Sequence, residues 1–186
     1  MKRILVGLIT AVAFVTVPAL ADSYSDTIEL FKNAGASAAF LSSSFGYAVF
    51  PTIGKGGLLV GAAHGTGRVY QRGKYIGDTS MTQVSVGFQA GGQAYSEIIF
   101  FQDQRALREF TSGNFTFSAG IGAVAITAGA SASAGTGGST AGASGGKKDA
   151  TTAGGYQSGV AVFTIAKGGL MYEASVAGQK FSYTAL

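Results

Sequence analysis

The stretch Met81-Thr82-Gln83-Val84-Ser85-Val86-Gly87-Phe88-Gln89-Ala90-Gly91-Gly92-Gln93 alternates with a period of two. Val84, Val86, Phe88 and Ala90 point one way, and Gln83, Ser85, Gly87 and Gln89 the other. Successive side chains of a strand project to opposite faces, so this is a half-buried strand of an antiparallel sheet. The segments around it have the same texture. Tyr47 to Phe50 is a short apolar strand stopped by Pro51. Leu58 to Ala63 and Gly67 to Gln71 read as strands around a glycine-rich bend, and Arg72-Gly73-Lys74 as a tight hairpin turn. Ser96 to Phe101, Phe115 to Ala123, Gly159 to Ile165, Leu170 to Val176 and Gln179 to Tyr183 complete the expected strands.

Two segments break the β pattern. From Ser25 to about Leu41, Ile28, Phe31, Gly35, Ala38 and Leu41 recur at helical spacing, with Ser25 or Asp26 placed to cap. The face lacks the aromatic and basic load of a membrane-inserting helix, so it is assigned to covering a sheet. A shorter helix follows Asp103, with Ala106, Leu107 and Phe110 on its buried face. Residues 128–155 are low-complexity: 25 of these 28 residues are Gly, Ala, Ser or Thr. They bury too little apolar area to offset their ordering entropy, and a flexible loop is expected. The fold class is therefore α+β: a mostly antiparallel sheet curled toward a barrel or sandwich, with an N-terminal helix and one short helix.

The N-terminus has the three parts of an export signal. Met1-Lys2-Arg3 is positive, Ile4 to Val17 is apolar, and Ala19 and Ala21 are small at the two positions read by a signal peptidase. Residues 1–21 are read as a cleaved secretory signal peptide and 22–186 as one domain. Removing Lys2 and Arg3 leaves 11 basic and 9 acidic residues, so the net charge of +4 falls to +2. That balance is not the electrostatic footprint of a nucleic-acid binder. Without cysteine, stability rests on packing and sheet pairing.

The inventory for catalysis is thin, and no catalytic residue, metal site or cofactor is assigned. His64 is the only histidine and has no partner for a typical zinc site. Gly120-Ile121-Gly122-Ala123-Val124-Ala125 resembles a relaxed dinucleotide fingerprint, but the tract after it supplies neither the helix nor the acidic residue that fingerprint needs. Acidic residues are few and scattered, against a paired-carboxylate hydrolase. One internal echo remains: Thr52-Ile53-Gly54-Lys55-Gly56-Gly57-Leu58 recurs as Thr164-Ile165-Ala166-Lys167-Gly168-Gly169-Leu170. It is either a pair of similar solvated turns or a pair of loops presenting a lysine and bare N–H groups to an anion.

From Gly46-Tyr47-Ala48-Val49-Phe50-Pro51-Thr52-Ile53-Gly54-Lys55-Gly56-Gly57 through Gly61-Ala62-Ala63-His64-Gly65-Thr66-Gly67, Gly73-Lys74-Tyr75-Ile76-Gly77 and Val86 to Gln93, the chain resembles the SYLF domain family. The resemblance continues over Ala106-Leu107 to Phe110 and closes at Lys167-Gly168-Gly169-Leu170, nearly the whole of 22–186. It implies a non-catalytic lipid-binding module, exported and periplasmic or outer-membrane-associated, that meets anionic phospholipid or phosphoinositide-like headgroups at a membrane surface. Actin, a partner of some fungal members, is absent from a bacterial envelope and is not carried over. On the residues alone, phosphate headgroups want cations beside bare backbone N–H groups. Lys55, Lys167, Arg68, Arg72 and Lys74 lie in or beside glycine-rich turns and are the candidate headgroup ligands. The alternatives are a structural outer-membrane β-barrel and an envelope protein-interaction module.

Overall fold

A computed structural model describes residues 22–34, 37–113, 115–117, 151–152 and 155–186. The expected signal at 1–21, the expected strand beyond Phe117 and nearly all of the tract at 128–155 lie outside these residues. Thr151–Thr152, at the end of that tract, forms a short strand. The elements are α1 (Ser23–Lys32), α2 (Ser37–Ser43), β1 (Gly46–Gly57), β2 (Val60–Gln71), β3 (Lys74–Phe101), α3 (Gln104–Thr111), β4 (Thr116–Phe117), β5 (Thr151–Thr152) and β6 (Val160–Ala185).

The single helix expected at Ser25 to Leu41 is two helices. Asp22, rather than Ser25 or Asp26, caps the first by accepting from the Tyr24 N–H. The break follows from side chains that satisfy carbonyls the helix would otherwise use. Asn33 Nδ2 donates to the Glu29 carbonyl at 2.9 Å, and the Ser37 hydroxyl donates to the carbonyls of Phe31 and Ala34. Asp103 caps α3 as its sequence requires, accepting from the Ala106 N–H at 2.9 Å, and Ala106, Leu107 and Phe110 are buried.

The sheet is built from fewer, longer strands than the sequence suggests. β1 and β2 form a hairpin, and β2 turns into β3 through Arg72 and Gly73, both at positive φ (49° and 78°). Two successive positive φ values match the twist of the flanking strands. β3 then runs for 28 residues. Its first part pairs with β2 and its second part with β1, so it wraps around the hairpin. Gly87 and Gly91, at φ 141° and 127°, occupy the bend between the two parts. β6 follows β3 along almost its whole length, from Gly77↔Ala185 to Phe101↔Val160. The result is a curled antiparallel sheet that does not close, with β4 and β5 as short additions to β6.

The echoed heptads are not turns. The first runs along β1 and ends at Leu58 in the turn beyond it, the second lies inside β6, and the two strands flank β3, each with an irregularity. In β1, Pro51 and Thr52 together oppose Ser96; in β6, Lys167 is the extra residue between Ala166 and Gly168. The Ser96 hydroxyl and the Lys167 ammonium both donate to the Pro51 carbonyl, at 2.7 and 2.9 Å, and Lys167 also reaches Thr52 Oγ1 at 3.0 Å. The repeat thus encodes two facing bulges, which bend their strands and increase the local twist.

The half of the sheet nearer α3 is covered on both faces. Phe50, Ile53, Met81, Phe101, Phe110 and Phe181 pack inside the curl. Phe31, Val49, Ile98, Phe100 and Phe163 pack on the other face beneath α1 and α2, joined by Phe40. Two-sided burial is why Tyr47 to Phe50 and Ile98 to Phe101 are continuous apolar runs rather than alternating ones. Core side chains approach bare backbone here: a Cβ on Gly67 would lie 2.7 Å from the Phe50 ring, and one on Gly65 2.6 Å from the Ile53 side chain.

Candidate functional site

At the far end of the sheet, around the β1–β2 turn, the pattern is reversed. Hydrophobic-in, polar-out is the usual outcome of an alternating strand, and Val84 and Val86 do not follow it. They are 57% and 64% exposed, while Gln83 and Ser85 are buried at 5% and 0%. Leu58, Leu59 and Val60 stand exposed beside them, 65%, 64% and 62% open to solvent. Of the large hydrophobic side chains exposed among the described residues, only Leu186 lies elsewhere. The turn is held in place by the Gly87 N–H, which donates to the Leu59 carbonyl at 3.0 Å.

The outer face of β2 and β3 grades in polarity away from this apex. The paired rows run Val60–Val86, Ala62–Val84, His64–Thr82, Thr66–Ser80 and Arg68–Asp78. β6 adds Lys180 beside Thr82 and Ser182 beside Ser80, and Lys180 is exposed. The inner face grades the opposite way. Its rows are Gly61–Ser85, Ala63–Gln83, Gly65–Met81 and Gly67–Thr79. The small residues of β2 leave room for the amides opposite, and Gln179 Nε2 donates to Gln83 Oε1 at 3.1 Å. Gln179 also bonds the carboxyl of Glu97, a residue 1% exposed. Burial pushes that carboxyl up to about 8, only partly offset by the Gln179 bond, so it is a neutral acid at neutral pH.

The five candidate cations do not converge. Arg72 and Lys74 are exposed at the β2–β3 turn, the opposite end of the sheet from the apex, and Arg72 lies 5.0 Å over the Phe45 ring. Arg68 pairs with Asp22 at 2.9 Å and stacks on Tyr24 and Tyr75, at 4.1 and 5.1 Å. It ties the start of α1 to β2. Lys55 is 8% exposed and points into the curl near the apex end of β1, opposite Gln93 and Ala63. Lys167 is exposed and clamps the Pro51 bulge. The shared register of the two lysines in the sequence therefore ends in opposite placements, one inside and one outside. Lys180, near the apex, was not among the candidates; only its pairing beside Thr82 brings it there.

His64 sits on the outer face, with Nδ1 3.4 Å from Thr82 Oγ1. Among the described residues no three His, Cys, Asp or Glu side chains are grouped to hold a metal, and no helix is long and apolar enough to cross a membrane. An open trough of about 440 Å³ beside Tyr24 is lined by Thr66, Asp78, Thr79, Ser80, Ser182 and Thr184. It brings hydroxyls and the Asp78 carboxylate together.

Comparison with known proteins places this chain in a family. A relative from Aeromonas veronii, described as Beta cell expansion factor A, is 25% identical over 158 residues, 83% of this chain and 51% of that protein. The chain thus spans about half the length of that curated relative. No solved structure matches it. The family model described as Ysc84, Las17-binding protein actin regulator, matches residues 82–184. That interval holds most of β3, all of α3 and nearly all of β6, the wrapping strands that create the curl, and it exceeds half of the sequence: the chain belongs to the SYLF (Ysc84) family.

Proposed function

We propose that this chain is a non-catalytic lipid-binding protein of the bacterial envelope, exported and then associated reversibly with anionic phospholipid. The observation that carries this is the concentration of exposed Leu58, Leu59, Val60, Val84 and Val86 at one end of a SYLF-family sheet. A contiguous apolar patch on a folded surface marks a contact with another apolar phase or partner. Cations stand behind the patch rather than within it: Lys180 in the His64–Thr82 row and Lys167 at the bulge. Phosphate headgroups above an acyl region meet that order of groups. Of the original candidates, Lys167 keeps the headgroup role in this proposal, while Lys55 acts from inside the sheet. The actin relation in the family's description is not carried to this chain, because actin is absent from a bacterial envelope.

Co-sedimentation with liposomes tests the proposal. Binding to vesicles containing anionic phospholipid, weakened at high salt, is the expected result. Failure to bind vesicles of any composition would remove the proposal and favour a protein partner in the envelope.

A further inference from the structure

The reversed polarity of the apex says how such a protein would meet lipid, and the argument rests on the lipid-binding proposal above. In water, an alternating sheet lowers its free energy with apolar residues inward. In hydrocarbon the preference inverts, and membrane strands carry apolar residues outward and polar ones toward their interior. The outer rows Val60–Val86 and Ala62–Val84, with Gln83, Ser85 and Gln179 inside, follow the second rule. Below Met81 and Phe181 the same strands follow the first. The two solvents therefore change places along single continuous strands.

We infer that the apex of the sheet, the β1–β2 turn with the adjoining parts of β2 and β3, inserts as strands into one leaflet of a phospholipid bilayer. Three features fix the occupant as a leaflet. The first is depth. From the Val60–Val86 row to the His64–Thr82 row is four residues, about 13 Å at roughly 3.3 Å per residue. One leaflet of a hydrocarbon core roughly 30 Å thick is about 15 Å deep. The second is the row at which apolar residues stop. His64, Thr82 and exposed Lys180 lie side by side there, and a lysine at that height carries its ammonium to the headgroups while its stem remains apolar. The third is charge: the outward residues described above that row on β1, β2, their turn and the adjoining part of β3, namely Gly56, Leu58, Leu59, Val60, Ala62, Val84 and Val86, include no ionisable group. Strands that cross into lipid need every backbone N–H and C=O paired. At the apex β1 is paired by β2 and β3, β2 by β1 and β3, and β3 by β2 and β6, while β6 is paired there by β3 on one side.

The chain contains no tryptophan, so an introduced one reports its own surroundings. Leu59→Trp places it at the exposed apex, and Gln104→Trp places it at an exposed position of α3, at the opposite end. Each variant is mixed with anionic vesicles whose lipids carry bromine on the acyl chains, and co-sedimentation is followed in the same samples. The inference predicts that fluorescence of the Leu59→Trp protein is quenched at least about twofold, with the Gln104→Trp protein unchanged. Binding by both variants without acyl-chain quenching of Leu59→Trp would overturn strand insertion and leave surface lipid binding standing. Binding with quenching only of Gln104→Trp would place the opposite end in the membrane and also overturn it. Absence of binding by the unsubstituted protein would overturn both proposals together.

Discussion

The two ends of this sheet share the same strands and obey opposite rules. Toward α3, Phe50, Phe101, Phe110 and Phe181 fill the curl, and α1 and α2 cover the outer face. At the apex, Gln83, Ser85 and Gln179 are buried, and Leu58, Leu59, Val60, Val84 and Val86 are exposed. No strand ends where the rule changes; β2, β3 and β6 pass straight through. The difference teaches that period-two alternation reports a two-faced strand without reporting which face meets water. The facing residues decide that. Gly61 and Ala63 on β2 admit the side chain of Gln83, whereas the Phe50 ring lies against Gly67 and fills the space inside the curl.

The comparison breaks if both ends contribute equally to stability. Phe101→Ala should cost about 3–5 kcal/mol through lost burial and the cavity it leaves. Leu59→Ala should stay within about 0.5 kcal/mol, as surface changes usually do. Urea unfolding of the two variants measures both. Similar losses would show that the apex is packed in solution.

The buried acid between the two ends gives a pH signature. Glu97 has a folded value near 8 against 4.5 unfolded. Between those values the unfolded chain has released a proton that the folded chain retains. Stability contributed by this group is therefore full below about 4.5, falls as pH rises, and stops falling above about 8. The slope is about 1.4 kcal/mol per pH unit for one fully linked proton. Glu97→Gln should flatten that part of the profile in denaturant titrations at a series of pH values. A profile unaltered by the substitution would mean that the carboxyl is ionised in the fold.

A smaller effect separates anchoring from ligand binding at Lys167. Loss of its bonds to Pro51 and Thr52 in Lys167→Ala should lower stability by about 1 kcal/mol. If the lysine also meets headgroups, binding to anionic vesicles should fall while the protein remains folded. The smallest expected stability change is for Val84→Thr with Val86→Thr, which keeps the branched shape favoured in strands. Thermal unfolding should hardly move, and vesicle affinity should drop several-fold.

Much of the fold was legible because local chemistry and tertiary structure agree there. Asp103 caps α3, Arg72-Gly73 turns the hairpin, and the alternation at Met81 to Gln93 is a strand. Strand continuity was not legible. The glycine-rich stretch Gly61 to Gly67 reads locally as a bend, and Met81 to Gln93 reads as ending before Ser96, yet long-range pairing with β1, β2 and β6 carries the backbone through both. The helix break at Asn33 depends on hydrogen bonds that compete with the helix, which spacing alone does not rank. The candidate site was legible only in its residue types. Lys55 and Lys167 share a motif, but one bulge lies before Lys55 and the other at Lys167 itself, so their side chains part. Leu58 and Leu59 announce themselves only once the turn is seen to leave them exposed among the described residues.

The central claim is that the apex is turned outward for lipid. The measurement that tests it most directly is vesicle co-sedimentation of Val84→Asp with Val86→Asp beside the unsubstituted protein, with a thermal melt of each. The account predicts at least about a tenfold loss of binding to anionic vesicles, since a charge on a lipid-facing strand is costly, with the melt little changed. Undiminished binding by a folded double variant would contradict it.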